Sequence, residues 1–291
     1  MTTTRRTFLK NSVLTGAGMF LYKGAFGNRP EKKPFLEHIG VCTSVTNSPY
    51  LAEAGFSYIE EGVQGFLVPQ LDEKAFEEKL KLAEDAVLPV EACNSFLPGE
   101  MKCTGPEAVP DQILKFAETA FRRAKIAGVN TIVFGSSRSR NIPGGFPREK
   151  AEEQFAELGK RMADIAGRYN VVISLEPLNT RETNFINSVA EGGELVKIIS
   201  HPNFRLLADI YHMMVEDESP ENLITYGDLL YHTHIAEKEG RMAPGVKGED
   251  FRPYFEALKK AKYYGRMSIE CRWKDQKAEA PVALAAIRKQ L

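Results

Sequence analysis

The chain has 291 residues, 38 basic and 39 acidic, so its formal net charge is −1 and it offers no basic excess for a nucleic-acid backbone. Its hydrophobic fraction of 43% supports a full core and excludes wholesale disorder. Four cysteines, none in a C-x-x-C pair, exclude a disulfide scaffold, and five histidines limit any histidine-rich metal cluster.

The chain opens with Thr4-Arg5-Arg6-Thr7-Phe8-Leu9-Lys10, followed by a mostly apolar run over 12–20. A charged head before a short apolar stretch is a targeting pattern, too short for an ordinary bilayer-spanning helix. It resembles the twin-arginine export signal, with Arg5 and Arg6 as the pair. The reading predicts a signal segment over 1–28 and a mature protein that is periplasmic or envelope-associated, with no stable membrane span. That route moves folded proteins, which suits one that loads a metal before export. About 263 residues remain, close to the roughly 250 of a single (β/α)8 barrel.

From there, short apolar, β-branched runs alternate with polar loops and helical stretches. Strands are expected at 39–44, 58–61, 89–94, 131–135, 171–176, 205–209, 230–235 and 267–271. Amphipathic helices are expected at 72–86, 110–127, 148–168 and 251–264, with Gly128 and Gly265 placed as left-handed caps. Eight strand–helix units without a break predict an α/β chain folded as one TIM barrel over 36–291. A doubly wound sheet is the competing architecture, but no G-x-G-x-x-G follows a strand.

In such a barrel the strand C-termini open into one mouth, where catalysis sits. The last four strands end in Leu175-Glu176-Pro177-Leu178-Asn179, Asp209-Ile210-Tyr211-His212, His232-Thr233-His234-Ile235-Ala236-Glu237 and Ile269-Glu270-Cys271. A single acid at a strand end ordinarily caps a helix or pairs with a base. Here Glu176, Asp209, His234 and Glu270 follow one another at 33, 25 and 36 residues, about one strand–helix unit each, so they can converge on one point. A buried carboxylate is costly unless paired or metal-bound. Three carboxylates and one imidazole suit an octahedral divalent cation, Mn²⁺, Mg²⁺ or Co²⁺ in preference to Zn²⁺. His232 is expected beneath the site or in the core, Cys271 is expected to pack outward, and His38 and His201 are expected to be structural. Asn94-Ser95-Phe96 and Gly135-Ser136-Ser137 end strands three and four and are expected along the pocket.

These motifs resemble the sugar isomerase/epimerase superfamily with the xylose-isomerase-like barrel, in its ketose 3-epimerase and hydroxypyruvate isomerase branches, over about residues 36 to 290. The resemblance assigns Glu176, Asp209, His234 and Glu270 as metal ligands. It also implies substrate contacts from Glu182, six residues past the first ligand, and from His212, three past the aspartate. The family's arginine follows the ligand histidine by six residues in the epimerases; the nearest here, Arg241, follows by seven.

The implied activity is a divalent-metal-dependent ketose or keto-sugar isomerase or epimerase, with proton transfer through an enediolate. Glu176 and Glu270 would be the catalytic pair, one removing a proton next to the carbonyl and the other returning one. The expected partner is a small sugar, with no nucleic acid; a homo-oligomer is compatible with the sequence. The competing functions are a metal-dependent lyase or dehydratase on a keto-sugar, a non-catalytic sugar-binding barrel, and a nuclease. The nuclease requires more histidines in the mouth and a basic DNA-facing surface.

Overall fold

The structure is a computed structural model that describes residues 37–291; the expected export segment 1–28 lies outside them. All eight expected strands form: β1 Ile39–Cys42, β2 Tyr58–Gly62, β3 Val90–Asn94, β4 Thr131–Phe134, β5 Val172–Leu175, β6 Phe204–Asp209, β7 Leu230–Ile235 and β8 Arg266–Ile269. Each pairs in parallel with its sequence neighbours, and β1 also pairs with β8 (Ile39 opposite Met267), which closes the barrel and excludes the doubly wound sheet.

Ten helices surround the strands among the described residues: α1 Ser48–Ala54, α2 Glu73–Glu84, α3 Pro110–Ala127, α4 Ser137–Arg140, α5 Arg148–Arg168, α6 Val189–Ile199, α7 Ile210–Val215, α8 Glu221–Thr225, α9 Arg252–Lys260 and α10 Gln276–Lys289. Their limits follow local chemistry. Asp72 caps α2 by accepting from the Ala75 amide at 2.9 Å, and α3 starts on Pro110 and stops at Gly128, whose φ of +78° is the left-handed cap expected there. No helix among the described residues is long and apolar enough to cross a membrane.

One core lies between strands and helices, where the rings of Phe121, Phe96, Phe134 and Phe155 pack in succession, tilted, edge-on and stacked, with centroids 5.3 to 5.6 Å apart. Burying each such ring is worth about 1.5–3 kcal/mol. A second core fills the barrel axis and is polar. Side chains alternate along a strand, so Tyr58 and Glu60 on β2, His232 and His234 on β7, and Ser268 on β8 all point inward and bond to one another across the axis. Near the strand N-termini Arg266 closes this column, donating to Glu91, Asn130 and Thr131.

Candidate active site

Glu176 directly follows β5, Asp209 ends β6, His234 is the penultimate residue of β7 and Glu270 directly follows β8. Consecutive strands turn these four into the mouth, and one donor atom from each lies within 4.8 Å of the others. His234 Nδ1 stands 3.1 Å from Glu176 Oε1 and 3.2 Å from Glu270 Oε2. Asp209 and His234 are buried and Glu176 nearly so, while Glu270 reaches the cleft. The convergence expected from strand spacing is therefore present.

The other three expected residues come to the same place. Arg241 Nη2 contacts Glu270 and lies 3.3 Å from Asp209 Oδ2, with Nη1 3.8 Å from Glu182 Oε1. Its guanidinium lies over the Tyr211 ring, 4.7 Å from the centroid. Arg241 is reached through a sharp loop: Gly240 and Arg241 both take positive φ, +72° and +54°. That loop hangs on buried Glu237, whose carboxylate accepts from the amides of Gly245, Lys247, Gly248 and Glu249 at 2.5 to 3.4 Å. Glu182 accepts from Asn179 Nδ2 at 3.1 Å. His212 takes two donors on Nδ1, from the Asn179 amide and side chain, so its hydrogen sits on Nε2, 3.4 Å from Asp209 Oδ2.

Electrostatics at the site are set by burial against charge. Burial pushes Asp209 up to about 7, with Arg241 pulling it back, and burial also raises Glu176. Glu270 is held at about 2 because His234 and Arg241 outweigh its burial. Burial, helped by nearby Arg241, lowers His212 to about 3, so it is neutral. Two carboxylates with opposite shifts, each touching one imidazole, are the pattern of an acid–base pair. The donor set also fits a hard divalent cation. It holds three carboxylates and one imidazole with spacing suited to a common centre, and such a cation would keep the buried carboxylates ionised.

Above these residues lies a cleft of about 280 Å³, lined by Glu176, Glu270, Glu182 and Arg241 from the second half of the chain and by Asn94 and Ser136 from the first. Asn94, expected only along the pocket, donates to Glu270 Oε1 at 3.1 Å. Gly135 leaves the space that Glu176 occupies: a Cβ there would stand 2.4 Å from Oε2. Trp273 and Cys271, both partly buried, pack against the core, partly buried Cys42 lies beside Glu60 and His234, and His38 pairs with Glu91 at 3.0 Å.

Glu60 carries no expectation from sequence, and Gly135, expected only along the pocket, has a more specific part. Glu60 accepts from both His232 and His234, at 2.8 and 3.0 Å. Gly135 matters only as a gap beside Glu176. The signal for Glu60 is its alternation with Tyr58 on a strand that is otherwise apolar, next to a second glutamate, Glu61, that hides it.

Comparison with known proteins agrees with this architecture. The family model described as xylose isomerase-like TIM barrel matches residues 49–290. The chain is 30% identical over 229 residues to an L-ribulose 3-epimerase of Methylomonas sp. (strain DH-1), covering 75% of each chain. It is 32% identical over 112 residues to a 3-dehydro-D-guloside 4-epimerase of Escherichia coli (strain K12), covering 38% of this chain and 42% of that one. Among solved structures it matches D-psicose 3-epimerase with D-tagatose from Clostridium cellulolyticum H10 with a TM-score of 0.76 at 22% identity, over 87% of this chain and 99% of that one, a likeness of fold. A match across most of the barrel, joined to a relative of this identity and coverage, places the chain: it belongs to the xylose isomerase-like TIM barrel family.

Proposed function

We propose that this chain is a divalent-metal-dependent epimerase or isomerase of a ketose or keto-sugar. The observation that carries the reading is the convergence of Glu176, Asp209, His234 and Glu270 beneath a cleft into which the two glutamates open. Relatives named as epimerases of L-ribulose and of a 3-dehydro-guloside support the substrate class. A divalent cation held by those four residues supplies electrostatic stabilisation of the negative charge that develops as the proton leaves carbon.

The chain's own groups do the proton work. One of Glu176 and Glu270 takes the proton from the carbon beside the carbonyl, leaving an enediolate. The other returns a proton, which inverts the centre or shifts the carbonyl. Arg241 and Glu182, joined at the rim, hold substrate hydroxyls, and neutral His212 presents Nε2–H to a substrate oxygen. Asn94 steadies the Glu270 carboxylate from the opposite wall.

The test follows solvent deuterium into a panel of ketoses. Glu176→Gln and Glu270→Gln should each cut exchange by about 10²–10⁴ with the barrel folded. Near-native exchange in either variant refutes the two-carboxylate mechanism, and net loss of water from the sugar would mark a dehydratase. We further propose that Arg5 and Arg6 direct the folded, metal-loaded protein to the twin-arginine export route, a reading that rests on the N-terminal sequence alone.

A further inference from the structure

Glu60 stands outside the four proposed ligands, yet it is the most heavily bonded carboxylate beneath them. Its Oε1 accepts from His234 Nε2 at 3.0 Å, and its Oε2 accepts from His232 Nε2 at 2.8 Å and from Ser268 Oγ at 2.6 Å. The Ser268 hydrogen is committed to Glu60, so the Tyr58 hydroxyl, 2.8 Å from Ser268 Oγ, donates in turn. An ionised carboxylate only accepts, so both imidazole nitrogens that face it carry hydrogen. His234 is thereby fixed: Nε2–H is tied to Glu60, and Nδ1 is the nitrogen turned toward Glu176 and Glu270. Glu60 is itself braced on its other oxygen by two donors independent of His234.

The alternative is visible on the same side. Cys42, Glu60 and His234 also bring one donor atom each within 4.8 Å, so an imidazole turned to use Nε2 would meet a thiol instead of the carboxylate cluster. We propose that Glu60 is a positioning residue: by holding Nε2–H it presents Nδ1 of His234 to the cation and keeps that cation in the oxygen-rich set, away from the Cys42 sulfur. The inference rests on the reading of Glu176, Asp209, His234 and Glu270 as ligands. Removing such a partner behind a metal-ligating histidine typically weakens binding about 10–100-fold.

Two measurements test it. In native protein with nitrogen-15 histidine, loaded with cadmium-113, the metal should couple to Nδ1 of His234 while Nε2 stays protonated, with no cadmium–thiolate absorption. Coupling to Nε2, or a thiolate band abolished by Cys42→Ser, overturns the inference. By calorimetry, Glu60→Gln should weaken Mn²⁺ binding about 10–100-fold, whereas Ser268→Ala, which removes a bond to Oε2 alone, should leave it near the native value. Native affinity in folded Glu60→Gln overturns the inference while leaving the four ligands standing, and should that variant fail to fold, the cadmium experiment on native protein decides. Native protein that takes up no divalent cation overturns the ligand reading itself, and this inference with it.

Discussion

Replacing Gly135 by alanine probes the site without replacing any of its functional groups. The added Cβ would stand 2.4 Å from Glu176 Oε2, with Leu178 Cδ2 at a comfortable 3.6 Å. An ordinary contact needs about 3.4 Å, so the carboxylate oxygen has to move by about 1 Å. The backbone is no obstacle, because Gly135 is not among the positive-φ glycines. A ligand distance tolerates only about 0.2 Å, so such a shift takes Glu176 out of a common coordination sphere. A 1 Å misplacement of a reacting group costs about 10²-fold in rate. Stability should change little, since the group displaced is the end of a side chain and alanine reduces the freedom of the unfolded chain by about 0.4–1 kcal/mol. The assay pairs Mn²⁺ calorimetry and deuterium exchange with a thermal melt, and uses Gly144→Ala, where nothing lies within 4 Å, as control. Native metal affinity and native exchange in a folded Gly135→Ala protein would refute the placement of Glu176 in the centre.

In metal-free protein, stability should fall as pH rises from 6.5 through 8. Burial lifts Asp209 to about 7, so it keeps a proton the unfolded chain has released and gives up that contribution as pH rises through 7, while Glu60 lifts His234 well above the usual imidazole range against the opposing effect of burial, so His234 carries the fall beyond 7. Each such group contributes a slope of up to about 1.4 kcal/mol per pH unit. Thermal melts of chelated protein that climb across this range, or a slope between pH 6.5 and 7 unchanged in Asp209→Asn, would contradict the argument. The cysteine thiols should alkylate far more slowly than a free thiol at pH 8, because burial raises all four, Cys103 to about 12; stoichiometric modification by iodoacetamide within minutes would count against it. Replacing Arg5 and Arg6 by lysine keeps the charge and removes the guanidinium forks. Cell fractionation should then shift the protein into the cytoplasm, and an unchanged distribution would leave the segment a plain basic tail.

The strands were legible because each is a short apolar, β-branched run, and the four converging residues because each sits where such a run ends. Six of the ten α-helices among the described residues were not in the expected pattern; four of them, α1, α4, α7 and α8, span only four to seven residues, and the two longer ones escaped for identifiable reasons. α6 contains Gly192-Gly193, poor helix formers that are needed here because side chains would strike Leu206 and the Tyr226 ring. α10 carries Pro281 inside it, which reads as a break. Glu60 was hidden for a different reason: only closure of the barrel brings it against His234, 174 residues further along the chain. Arg241, one residue off the spacing the resemblance implies, reaches the carboxylates through loop geometry that spacing does not encode.

The two halves of the barrel divide the labour unevenly. All four proposed ligands, with Glu182, His212 and Arg241, come from β5 onward, whereas the facing wall of the cleft is built from loops after β2, β3 and β4, including Gln64, Ser95, Leu97 and Arg138. Glu60, Asn94 and Gly135 tie the first half to the proposed reacting groups. A lineage can therefore redraw the first-half loops to admit a different sugar while the second half, and with it the reaction, is inherited unaltered. Chimeras joined between α4 and α5 would transplant substrate preference as a block, provided those three residues travel with it.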